Sequence, residues 1–148
     1  MLGQQIEQVL SRKCSKNFLG VFARDRLPAR LPTLRPLLLV ANTDPHYKTG
    51  EHWIAIYIGA RGRGEYFDSY GEKPPSLFSS FLDKHSSDWI INSSRIQSVI
   101  RSSCGQYCIF YCLLKYMGVS MKDILNCFIP EDTALNDLIV NTFVSQVI

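Results

Sequence analysis

A chain of 148 residues, 46% apolar, 20% charged and 11% aromatic, has the composition of one globular domain with a single core. Its net charge of +3, from sixteen Lys and Arg against thirteen Asp and Glu, is only mildly basic. No apolar run approaches the roughly 18 residues of a membrane span, and residues 1–12 carry no signal-peptide pattern, so an intracellular protein is expected. Five cysteines, at 14, 104, 108, 112 and 127, show neither disulfide-framework nor metal-ligand spacing.

In chain order, Ile6, Val9 and Leu10 share one face of a short first helix over residues 3–12. Residues 14–22 are mixed in pattern. Prolines 28, 32 and 36 then predict an extended surface segment in which Arg24, Arg26, Arg30 and Arg35 gather. The apolar run 37–42 reads as a buried strand and 43–50 as a loop. Residues 53–59 form a strand with Ile54, Ile56 and Ile58 on one face and Trp53, Ala55 and Tyr57 on the other. Both faces are apolar, which places it centrally in its sheet. A turn at 60–64 returns the chain as a strand at 65–68. A helix at 76–85 and a short strand at 89–91 follow.

Ser102 and Ser103 lead into Cys104, which opens a run apolar on almost every side. Such a helix is buried and central. Cys104 then lies at its N-terminus, where exposed N–H groups and the macrodipole favour a thiolate. Gly105 leaves room for a substrate carbonyl, and the Cys104 N–H can face a developing oxyanion. Cys108 and Cys112, one and two turns deeper, read as small buried hydrophobes. Gly118 suits a helix C-cap, and Ser120 caps a short helix. A last helix follows Pro130, capped by Asp132 or Thr133, with Leu135, Leu138, Ile139, Val140 and Phe143 expected inside. The fold class is α+β: one domain over 1–148, with helices against a mostly antiparallel sheet.

Of three histidines, His46 lies in a loop and His85 ends a helix; both have surface explanations. His52 stands at the mouth of the central strand, with the Trp53 indole expected to stack beside its ring. The hairpin returns Asp68 to His52, as an orienting carboxylate requires. Gln97, seven residues before Cys104, offers amide donors suited to an oxyanion hole. Gln106 would point away from the carbonyl. The residues thus read as nucleophile Cys104, base His52, orienter Asp68 and oxyanion donor Gln97.

Together with Asn17-Phe18-Leu19-Gly20-Val21-Phe22, Val40-Ala41-Asn42-Thr43, Glu51-His52-Trp53, Phe67-Asp68-Ser69-Tyr70-Gly71 and Gln97 with Cys104-Gly105, this order resembles the adenovirus proteases (adenains). Their relatives occur in adenovirus-like viruses and large self-synthesising DNA transposons. The match runs from residue 14 to about 118. It implies a papain-like thiol mechanism with His52, Asp68, Gln97 and Cys104 in the roles above, and Glu51, Trp53 and Gly105 against the substrate. The resemblance implies cleavage of virion precursor proteins after small residues, at Gly-Gly or Gly-Xaa sites, inside the virion and the host cell, with the nucleus expected. No cofactor or metal is needed for the chemistry, no membrane is involved, and a monomer is expected. The acid is Asp68 where adenovirus enzymes usually have Glu. The family's activating peptide forms a disulfide with a cysteine shortly before the glutamine, and residues 70–103 contain no cysteine. Activation by DNA or by a non-covalent peptide stays open. Two alternatives accompany this reading: a ubiquitin-like protein deconjugating protease, and a DNA-binding virion module on a protease scaffold.

Overall fold

The computed structural model describes residues 1–44, 47, 52–99 and 102–148. Five strands lie side by side in sequence order: β1 (Phe18–Phe22), β2 (Leu37–Asn42), β3 (Trp53–Ile58), β4 (Arg63–Phe67) and β5 (Asp88–Ile91). The three central strands are antiparallel, while β1 and β5 run parallel to their neighbours. The sheet is therefore mixed rather than mostly antiparallel. The reason is connectivity: long crossovers lead into β2 and β5, and only β3 and β4 are joined by a tight turn.

Alternation along the strands divides the apolar side chains between two faces. Leu38, Val40, Ala55 and Phe67 join one core with helices α1 (Gly3–Cys14), α3 (Cys104–Tyr116), α4 (Met121–Leu125) and α5 (Thr133–Val147). Leu39, Ala41, Ile54, Ile56, Ile58 and Tyr66 form a second core under α2 (Ser76–His85), edged by Leu27 and Leu31 of the proline segment. β3 is the middle strand of the five, as its two apolar faces require.

Most element limits follow the sequence pattern; β1 does not. It pairs on one side only and its register shifts between Phe18 and Gly20, so no clean alternation marks it. The caps are as the sequence implies. Gly118 (φ +88°) ends α3 with its N–H donated to the Lys115 carbonyl. Ser120 Oγ accepts from the Asp123 N–H and Asp132 Oδ1 from the Leu135 N–H, each at 3.1 Å.

α5 buries Val140 and packs Phe143 against the core as expected, but its inner face is rotated away from Leu135 and Leu138. Asn136, Asp137, Val140 and Val144 are inside, while Leu135 and Leu138 are 38% and 63% exposed. The two polar residues displace the leucines because their side chains find partners inside. Asn136 Nδ2 donates to the Ile96 and Ile129 carbonyls, and Asp137 Oδ1 accepts from the Tyr107 hydroxyl at 2.8 Å. In α3, Lys115 is likewise buried. Its Nζ lies 3.2 Å from Glu65 Oε2 and 4.2 Å from the centre of the Tyr57 ring.

Candidate active site

The β3–β4 hairpin builds the first half of the site. Its register pairs Ala55 with Phe67 and Ile56 with Tyr66. Continued one residue outward, it sets Asp68 opposite Ile54, after which the chain turns at 69–70 with the Gly71 N–H donated to the Asp68 carbonyl. Asp68 is thus the diagonal neighbour of His52 on one face, within reach of a ring and a carboxylate. His52 Nε2 donates to Asp68 Oδ1 at 2.6 Å. Both side chains are mostly buried, 14% and 4% exposed.

Asp68 is held from three directions. Its Oδ1 also accepts the Tyr70 backbone N–H at 2.8 Å. Asn92, buried just after β5, takes the Asp68 N–H on its Oδ1 (2.9 Å) and donates Nδ2 to the Asp68 carbonyl (2.6 Å). This side-chain clamp replaces the ladder bonds that end where β4 ends.

α3 delivers the second half. Cys104 is its first residue and is 5% exposed. The opening N–H groups of a helix have no partner within it, so they can serve a ligand or an anion. Burial pushes the Cys104 thiol up. The His52 hydrogen bond, the Trp53 backbone N–H, the His52 charge and the Gly105 N–H outweigh burial and bring it below its ordinary value. Burial in turn pushes the His52 imidazole down. The hydrogen bonds to Asp68 and Cys104, then their charges, reverse this and raise it to about 9. With Nε2 on Asp68, Nδ1 is the ring nitrogen left to face the sulfur. Each group thus shifts the other toward its charged form, the thiol downward and the imidazole upward. Cys14, Cys108 and Cys112 are instead raised by burial, as packing thiols are.

Gln97 is completely buried, and its orientation is imposed. Ser69 Oγ donates to Gln97 Oε1, so the amide nitrogen is the end that reaches the Tyr70 hydroxyl, at 3.4 Å. The Tyr70 ring stacks on His52, with centroids 4.5 Å apart and planes 20° from parallel. Burial first, then the Cys104 charge, raises the Tyr70 hydroxyl, which places that hydroxyl in the field of the thiolate. Tyr70 therefore touches both the imidazole and the amide donor.

Three further features seat the Gln97 loop. Ser69 C=O accepts the N–H groups of Ile96 and Gln97. Gly71 (φ +68°) lies so close to this loop that a Cβ would stand 2.7 Å from the Ser94 carbonyl carbon, so only glycine fits. From below, Tyr107 Oη and Asn136 Nδ2 hold the Ile96 carbonyl at 3.0 and 3.1 Å. Beside His52 and Asp68 opens a cavity of about 260 Å³, lined also by Thr43, Tyr70, Glu72 and Lys73.

The structure thus brings His52, Asp68 and Cys104 together and ties Gln97 to them through Tyr70. Glu51 lies outside the described residues. Two expectations need correction. Trp53 does not stack on His52; successive residues of an extended chain point to opposite faces, and its indole lies against Gly3 with Nε1 donating to the Met1 carbonyl (3.3 Å). The space beside Gly105 does not stand open for substrate; Met1 and Ile6 fill it. Tyr70, Asn92, Tyr107 and Asn136 were not singled out by sequence reasoning. Tyr70 stands in the Phe67-Asp68-Ser69-Tyr70-Gly71 segment, which held the signal without a role for it. The others act through tertiary hydrogen bonds that leave no sequence pattern.

No family model matches the chain. It is similar to the protease of bovine adenovirus 7, with 28% identity across 78% of this chain and 65% of that protein. It is also similar to the African swine fever virus protein named "SUMO-1 cysteine protease", with 26% identity across 63% of this chain and 38% of that protein. The chain therefore spans about two thirds of the first relative and well under half of the second. In structure, the crystallised African swine fever virus protease superposes over 93% of this chain and 65% of that one, with a TM-score of 0.69 and 20% identity. These likenesses bear out the adenain-like cysteine protease resemblance and its α+β fold.

Proposed function

We propose that this chain is a cysteine endopeptidase in which Cys104 attacks, His52 shuttles the proton, Asp68 orients and Gln97 donates to the oxyanion. One observation carries the reading: Cys104, alone among the four buried cysteines, is drawn below its ordinary pKa, beside an imidazole that a buried carboxylate keeps charged. The cysteine protease likenesses support the class.

In this mechanism the Cys104 thiolate adds to the scissile carbonyl. Charge moves to the carbonyl oxygen, which the Cys104 N–H and the Gln97 amide receive. The His52 imidazolium gives its Nδ1 proton to the leaving amine, and the C–N bond breaks to leave an acyl-thioester. Neutral His52 then takes a proton from water, which hydrolyses the thioester and releases Cys104. Asp68 keeps its charge throughout, holding the ring through Nε2.

The substrates we assign are structural precursor proteins of a virus or virus-like element, cut after small residues at Gly-Gly or Gly-Xaa sites within the virion and the infected cell. A second reading, a protease acting on ubiquitin-like proteins, is favoured by the "SUMO-1 cysteine protease" name of one relative. A fluorogenic Leu-Xaa-Gly-Gly peptide, given to wild type and to Cys104→Ala with and without double-stranded DNA, tests the first. Turnover by wild type alone is expected, and equal turnover by the variant refutes it. A suicide probe built on a ubiquitin-like protein tests the second. Labelling of Cys104 by that probe faster than by a short Gly-Gly probe favours deconjugation, and no labelling excludes it.

A further inference from the structure

The base and the nucleophile arrive on separate elements, His52 at the start of β3 and Cys104 at the start of α3. Something must fix these two ends relative to one another, because a shift of an ångström between reacting groups is costly. The residue after each one meets Met1, just before α1: Trp53 also meets Gly3, and Gly105 also meets Ile6. Trp53 Nε1 donates to the Met1 carbonyl at 3.3 Å, and a Cβ on Gly3 would stand 2.9 Å from Cη2 of the Trp53 indole. A Cβ on Gly105 would stand 3.1 Å from Met1 Cβ and 3.2 Å from Ile6 Cδ1. The approach is van der Waals-tight on both sides.

We propose that Met1 acts as a clasp between the two catalytic elements, touching both Trp53 and Gly105, with Gly3 as a positioning residue that seats the Trp53 indole against it and so sets the distance between His52 and Cys104. The inference rests on the protease reading above and deepens it. Trp53 and Gly105 are also the residues whose backbone N–H groups attend the Cys104 sulfur, so the clasp bears on the nucleophile twice. Gly3 touches no substrate in this arrangement. A methyl there pushes the indole, the indole pulls on the strand end, and the Trp53 N–H and His52 shift together away from the thiolate.

The test is a double-mutant cycle of Gly3→Ala and Trp53→Phe, because phenylalanine lacks the ring atoms that a Gly3 methyl meets. Gly3→Ala alone is expected to lower kcat on the fluorogenic peptide by roughly 10- to 100-fold. It should slow Cys104 alkylation at pH 6, followed by peptide-resolved mass spectrometry, by a similar factor, with KM within about twofold. Introduced into Trp53→Phe, the same substitution should change neither. A purely structural role would lower the melting temperature without altering the alkylation rate of the folded fraction. The clasp is overturned if Gly3→Ala leaves both rates unchanged, or if its effect is the same in both backgrounds. If wild-type Cys104 is unreactive at pH 6, or folded wild type cleaves no peptide, the protease reading fails and the inference with it. Should Gly3→Ala not fold, Trp53→Phe alone, which removes the indole N–H donated to the Met1 carbonyl, takes its place. A loss of alkylation rate in that folded variant supports the clasp and an unchanged rate overturns it.

Discussion

At the residue scale, Cys104 and His52 are tuned in opposite directions by one another, and this mutual tuning sets the pH behaviour. The imidazolium must be present to protonate the leaving amine. Hydrolysis should therefore fall as pH rises through about 9, where His52 loses its proton. The same group contributes to stability. Its folded pKa lies above the unfolded value of about 6.5, so the contribution is fully present below about pH 6.5 and is lost as pH rises through about 9. Asp68→Asn should cut kcat less than His52→Ala does, since the first weakens an orienter and the second removes the proton carrier; the reverse ranking in steady-state kinetics would contradict the roles. Gln97→Ala should lower kcat by about 10²-fold or more, with KM little changed, if its amide meets the oxyanion.

At the element scale, the site depends on a loop held from beneath by polar side chains that the apolar pattern does not reveal. Asn136 Nδ2 on α5 donates to the Ile96 carbonyl, one residue from Gln97, and the Tyr107 hydroxyl on α3 lies between that carbonyl and Asp137 Oδ1 with one proton for the two acceptors. Tyr107→Phe removes the one hydroxyl proton shared by Asp137 and that carbonyl, and should cost about 1–3 kcal/mol of stability by urea unfolding. Its kcat should fall toward that of Gln97→Ala, with the Cys104 alkylation rate unchanged. A parallel fall in alkylation would show that the loop supports the thiolate rather than the oxyanion donor. These bonds explain what was legible in the sequence and what was not. The hairpin, the central strand and α3 follow from alternation and from one unbroken apolar run, which local pattern records. β1 pairs on one side only, and α5 turns Asn136 and Asp137 inward against two leucines. In both cases tertiary partners decide, and local periodicity carries no trace of them.

At the scale of the whole molecule, α3 runs from the nucleophile at one end to a buried ion pair at the other. Lys115 and Glu65, 7% and 9% exposed, pair at 3.2 Å, and the Tyr111 hydroxyl donates to the second Glu65 oxygen at 2.6 Å. Lys115→Ala leaves the Glu65 carboxylate buried and unpaired and should cost about 3–5 kcal/mol in urea unfolding, whereas Lys115→Met with Glu65→Gln should cost far less. An equal cost for both would mean that packing, not charge, governs that end of the helix. The likeness to the solved African swine fever virus protease is one of fold, and that to the bovine adenovirus protease is one of sequence. The central claim is that the site holds an activated thiolate. It is tested most directly by the rate of Cys104 alkylation against pH, resolved by peptide mass spectrometry in wild type and in His52→Ala. Wild-type Cys104 should react well below pH 8, and His52→Ala should move its midpoint up toward or beyond the roughly 8.5 of a free thiol. A midpoint near 8.5 in both proteins would contradict the account.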